Sequence, residues 1–187
     1  MESLFICVML PNGRKNSFSL IVIILLTLVS AINVLIEHKW TTKGIMTFNV
    51  AAYYGYLPQF VNGKSSEWCA EEYQFPDLNT RNKYVKASNG NKVLKTTMGM
   101  SILYLPFHTV AMFYHRAING WRGWGFELPY RVCMSFVGVF YLLLGLLFCR
   151  ASLLKYFGDD VTAASMLLVV LGTNMYYYTT TEGCMTH

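Results

Sequence analysis

Four long stretches without a single Asp, Glu, Lys or Arg dominate this sequence: Asn16–Ile36, Thr96–His115, Val132–Cys149 and Val161–Thr181. A helix needs about 20 predominantly apolar residues to cross the hydrocarbon core of a bilayer, and each block is close to that length. In a water-soluble domain the apolar residues recur in short periodic runs broken by charge. Here only 13% of the 187 residues are charged and 54% are hydrophobic. A typical soluble domain carries about a quarter charged residues. The chain therefore reads as an all-α integral membrane protein, multi-pass, with about four transmembrane helices.

The same composition excludes other classes. Aromatic residues make up 16% of the chain, which together with the scarcity of charge argues against disorder. Five cysteines, an odd number without close pairs, do not make a disulfide framework. The absence of Cys-x-x-Cys or a tight Cys/His set removes a zinc site. A net charge of +5 invites a nucleic-acid reading, but the basic residues are scattered through the connections. That pattern suits membrane-flanking loops, and no nucleic-acid partner is expected.

Residues 1–17 read as a cytoplasmic N-terminus ending beside Arg14-Lys15, and 18–36 as the first transmembrane helix. Its apolar length suits an uncleaved signal anchor better than a cleaved signal peptide with Val29-Ser30-Ala31 as its site. Residues 37–95 form an outer loop. Within it, 44–63 is uncharged but interrupted by Gly44, Gly55 and Pro58, so it reads as one or two short juxtamembrane helices, with a proline break at Leu57. Their aromatics Phe48, Tyr53, Tyr54, Tyr56 and Phe60 suit the headgroup level. Residues 64–95 read as solvated loop. The second span is 96–114, followed by a basic, aromatic connection at 115–131. The third span is 132–149, a short loop occupies 150–160, and the fourth span is 161–178 before a tail at 179–187. Alternating crossings from a cytoplasmic Arg14-Lys15 put 37–95 outside, Arg116, Arg122 and Arg131 inside, and Arg150 and Lys155 outside. The ending soon after the fourth block reads as the N-terminal portion of a longer chain.

Four places carry candidate chemistry. Asn49 and Tyr53 are four residues apart and share a helical face, so an amide and a phenol point the same way. Surface amphipathicity alone also explains them. Lys95 opens the second span and either snorkels or clamps a lipid phosphate as a point charge. His108 lies mid-span and reads as a neutral histidine bonded to a neighbouring helix rather than a proton relay. Glu67, Glu71, Glu72 and Asp77 offer oxygen ligands for a divalent metal ion, at a spacing that matches no defined loop. The uncharged span interiors disfavour a transporter.

Taken in order, Asn49…Tyr53-Tyr54-Gly55-Tyr56-Leu57-Pro58, Lys95-Thr96-Thr97-Met98-Gly99 through Pro106, Gly145…Arg150 and Leu171-Gly172-Thr173-Asn174…Tyr178…His187 resemble the N-terminal part of bacterial membrane glycosyltransferases of the GT-C superfamily. Most similar are Bacteroidetes-type proteins that resemble mannosyltransferases and aminoarabinose transferases. The resemblance implies an enzyme of the bacterial inner membrane that moves a sugar from a polyprenyl-phosphate donor to an acceptor on the outer face. Tyr53, Tyr54 and Lys95 then line the donor site. The catalytic acid of such proteins stands four residues before the Tyr-Tyr pair, where this chain has Asn49. A neutral amide cannot take a proton from an acceptor hydroxyl. Either Glu37 or Asp77 substitutes, or the chain is an inactive remnant or a non-catalytic membrane scaffold.

Overall fold

A computed structural model describes residues 18–41, 44–46, 48–61, 84–86, 92–94, 96–121 and 123–184. Glu67, Glu71, Glu72, Asp77, Lys95 and His187 lie outside the described residues, as does the side chain of Asn49. In chain order the elements are α1 (Phe18–Glu37), a 3-10 turn (Gly44–Met46), α2 (Phe48–Tyr54), α3 (Tyr56–Val61), β1 (Tyr84–Lys86), β2 (Lys92–Leu94), α4 (Gly99–Asn119), α5 (Leu128–Ser135), α6 (Val137–Leu153), α7 (Asp159–Gly172) and α8 (Met175–Thr180). The described residues are predominantly helical, as the sequence predicts. Where solvated loop was expected, β1 and β2 instead pair antiparallel, Tyr84 opposite Leu94 and Lys86 opposite Lys92. Among the described residues, two helices are long and apolar enough to cross a membrane, Phe18–Glu37 and the continuous Leu128–Leu153.

The helices group into two compact units, Met1–Glu37 with Gly138–Gly183, and His38–Val137 with Cys184–His187. In the first, α1 turns Ser19, Val22, Ile23, Leu26, Ser30 and Val34 inward. These positions fall three or four residues apart, along one helical stripe. They meet Leu142 and Leu146 of α6 and Ala163, Met166 and Val170 of α7. The opposite face of α1 is just as apolar, with Ile21, Leu25, Leu28 and Ile32 about half exposed. A helix hydrophobic all round is a membrane span or a deeply buried core helix, and the exposure of this one favours lipid. Polar side chains on these helices behave accordingly. Thr27, Ser165 and Thr173 each return their hydroxyl to the carbonyl four residues back, as hydroxyls do where water is absent.

Close approach is also built in. A Cβ on Gly138 would stand 2.6 Å from the Thr179 carbonyl oxygen and 2.9 Å from Gly183 Cα, both backbone atoms that cannot rotate away. A Cβ on Gly145, in the same helix, would meet nothing within 4 Å.

At one end of this unit the Asp159 carboxylate accepts the Phe18 N–H at 2.9 Å, the Ser19 N–H at 3.2 Å and the Ser19 hydroxyl. Ser19 Oγ in turn accepts from Arg150 Nε at 2.8 Å. The first N–H groups of a helix have no partner inside it, so Asp159 caps α1 from another helix. At the other end the Thr181 hydroxyl donates to Glu37 Oε1 at 2.9 Å. Thus α1 and the α7–α8 stretch run parallel, and α6 runs antiparallel to both. This corrects the alternation expected from sequence: Arg150 and Asp159 share the end of the unit with Phe18, not the end with Glu37.

Burial works to raise the Asp159 pKa. The Ser19 and Phe18 hydrogen bonds and the Arg150 charge outweigh it and hold the carboxyl below its ordinary 3.8. A lowered folded-state pKa means stability that is complete above the ordinary value and lost as pH falls through the lowered one. Thermal unfolding in detergent should therefore be flat from neutral pH to about pH 4 on account of this group and decline below it. Asp159→Asn should lose about 1–2 kcal/mol at neutral pH, at the lower end for a charged hydrogen bond because the group is half-exposed. It should also flatten the acid limb. In the same assay Gly138→Ala should destabilise by about 1–3 kcal/mol through overpacking, while Gly145→Ala leaves the transition unchanged or slightly raised.

Candidate functional site

The second unit is organised by a buried aromatic and histidine cluster. Two short helices come first. Gly55, not Leu57, separates them, because Pro58 falls in the first turn of α3, where its missing N–H costs nothing. Tyr54, the last residue of α2, is fully buried and points at α4. Its hydroxyl lies 2.5 Å from the Gly125 carbonyl oxygen and 2.7 Å from His108 Nδ1. A phenol has one proton, and the carbonyl can only accept. The histidine must therefore be the donor in the second bond, which assigns its proton to Nδ1. The expectation that His108 is bonded to a neighbouring helix holds.

The cluster continues through ring contacts. His108 faces Tyr130 at 5.0 Å between centroids, and Tyr54 meets Phe126 edge-on at 5.4 Å. His115 contacts Tyr130 and Trp121, and Trp121 contacts Trp124. Such tilted and edge-to-face pairs contribute roughly 0.5–1.5 kcal/mol each beyond burial.

The connection between α4 and α5 is shaped to close this cluster. Gly120 ends α4 in a left-handed conformation, with φ of 73°. Gly123 and Gly125 follow with φ of 73° and 97°, values that side chains disfavour. At Gly125 a Cβ would also lie 2.8 Å from Pro58 Cγ and 3.3 Å from His108 Cε1. The Glu127 carboxylate then gathers three backbone N–H groups, from Trp124 at 2.5 Å, Gly125 at 2.9 Å and Phe126 at 3.1 Å. Three charge-assisted bonds to one side chain hold the loop rigid. Pro129 opens α5 in the first turn, where proline is favoured.

Of the residues singled out from sequence, Asn49, Tyr53 and Tyr54 fall on α2, with Asn49 and Tyr53 one turn apart along the backbone. Tyr53 is half-buried and its carbonyl accepts from the Ser101 hydroxyl. Tyr54 is turned into the protein, its hydroxyl bonded to Gly125 and close to His108. Glu37 is exposed and bonded to Thr181. Sequence reasoning missed Glu127, Gly123 and Gly125. Their signal was the order Gly123-Trp124-Gly125-Phe126-Glu127-Leu128-Pro129, two glycines and an acid just ahead of a helix-starting proline.

Chemically, the Tyr54–His108 pair is a positioning device, since both side chains are fully buried. It holds α2, and with it the backbone of Asn49 and Tyr53, against α4. Among the described residues no group of three His, Cys, Asp or Glu side chains is placed to hold a metal ion. No protein-family model, curated protein or solved structure matches the chain.

Tyr54→Phe removes the hydroxyl shared by Gly125 and His108 and leaves buried groups short of a partner. It should cost about 1–3 kcal/mol in thermal unfolding. Tyr53→Phe, whose hydroxyl is not part of the cluster, should leave the transition within about 0.5 kcal/mol of the parent.

Proposed function

We propose that the chain is a multi-pass inner-membrane protein of the lipid-linked glycosyltransferase type, contributing the membrane anchor and first outer segment of such an enzyme. The observation that carries the reading is the succession of one all-round apolar helix, α1, and two short helices, α2 and α3, with Asn49 and Tyr53 one turn apart on α2. That is the local arrangement the resemblance implies for a site at a lipid interface. In it, a polyprenyl-phosphate donor approaches from the bilayer, Lys95 neutralises the leaving phosphate, and Tyr53 flanks the sugar. Tyr54 supports the site from behind through His108.

The neutral amide at position 49 favours a second reading, a non-catalytic membrane scaffold derived from such an enzyme. Transfer of a radiolabelled sugar from polyprenyl phosphate, measured in membranes containing the intact enzyme to which the chain contributes, separates the two. The chain should stay in the membrane pellet after alkaline carbonate. Asn49→Asp should raise transfer by about 10²–10⁴-fold if it restores a general base. Equal background rates in parent and variant would leave only the scaffold.

A further inference from the structure

Two independent observations bear on α4, and both rest on the membrane reading above. The first is parity. Glu37 is bonded to Thr181, and Gly138 packs against Thr179 and Gly183, so the chain leaves the first unit and re-enters it at the same end. Phe18, Arg150 and Asp159 mark the opposite end. The intervening residues 38–137 must then cross the bilayer an even number of times. One crossing by α4 is incompatible with that. A compensating second crossing has no segment to make it, since α2, α3 and α5 have only seven, six and eight residues and 62–95 carries charges throughout. Although α4 is 21 residues long, it is not among the helices apolar enough to cross.

The second observation is the inverted pattern of α4. Its buried seam is Ser101, Tyr104, His108, Ala111 and His115, at alternating spacings of three and four residues. Its exposed face carries Ile102, Leu105, Val110, Phe113 and Ile118. A helix in water hides its apolar stripe and exposes its polar one. Here the hydroxyl and imidazole groups are inside, so the surroundings of the outer face are apolar. Tyr114 and Trp121, both exposed toward the far end, belong to the aromatic class that settles at headgroup level.

We infer that α4 does not span the membrane but lies in its surface as an interfacial helix, with the Ile102–Ile118 face against lipid acyl chains. Interfacial helices bury such a face by roughly 5–10 Å into the headgroup boundary. The partner is the bilayer itself. It would carry the Tyr54–His108 cluster, and the α2 helix bonded to it, at the level of a lipid headgroup.

The test is sidedness of labelling. Asn119→Cys, Ala117→Cys, Thr41→Cys and Gly158→Cys all replace exposed residues, and each variant of the full chain is treated with a membrane-impermeant maleimide in sealed vesicles of either orientation. Signals are compared with those of the parent chain. Asn119→Cys and Ala117→Cys should label from the same side as Thr41→Cys, and Gly158→Cys from the other. Labelling of Asn119→Cys and Ala117→Cys with Gly158→Cys would mean that α4 crosses and would overturn the inference. Release of the parent chain by alkaline carbonate would instead sink the membrane reading itself, before any labelling is read.

Discussion

The Asp159 carboxylate is the point on which the first unit turns. It caps the start of α1 through two backbone N–H groups and is tied through Ser19 to a buried Arg150. In a lipid setting the hydrophobic effect does not drive helices together, because acyl chains are as apolar as leucine. What remains is close packing and the few polar contacts that can be satisfied. A single carboxylate with two helix N–H donors, a hydroxyl and a nearby guanidinium determines which ends meet. The parallel course of α1 and α7–α8 follows from it, and so does the return of the chain at Gly138.

The second unit relies on a different interaction with the same logic. A Tyr54 hydroxyl shared between Gly125 and His108 joins a short helix, a long helix and a glycine-rich loop, none of which has a strong reason to be there alone. A helix of seven residues such as α2 is too short to be stable by itself. It persists because Tyr54 is enclosed and because Glu127 stiffens the loop that accepts its proton. Glycine at 123 and 125 is favoured by backbone angle, and at 125 also by lack of room beside Pro58.

Much of this was legible in the residue order, and the places where it was not share a physical cause. Uncharged blocks of bilayer length located α1 and the Leu128–Leu153 helix, because length and apolarity are local properties. His108 as a bonded, neutral histidine was also legible, since an imidazole in an apolar stretch must find a partner. The break at Gly55 was misplaced by two residues, because proline is tolerated in a first turn. Alternating crossings put Arg150 at the Glu37 end, whereas its hydrogen bond to Ser19 places it at the Phe18 end, a contact between residues far apart in the chain. The polar seam of α4 was present in the sequence as Ser101, Tyr104, His108 and His115, but its meaning depended on which face was covered.

Sequence alone determined that the chain is helical and built from bilayer-length apolar segments, because bilayer thickness and charge desolvation act on each segment independently. It also suggested candidate chemistry at Asn49, Tyr53, Tyr54 and Lys95, through a resemblance of ordered motifs. Only the tertiary structure decided that α1 and α7–α8 are parallel, that Tyr54 faces inward, and that α4 turns its polar side chains toward protein. Those facts depend on pairs far apart in the chain, such as Ser19 with Asp159 and Tyr54 with Gly125. No local pattern encodes which of many polar groups will meet when each must satisfy its hydrogen bonds inside an apolar medium.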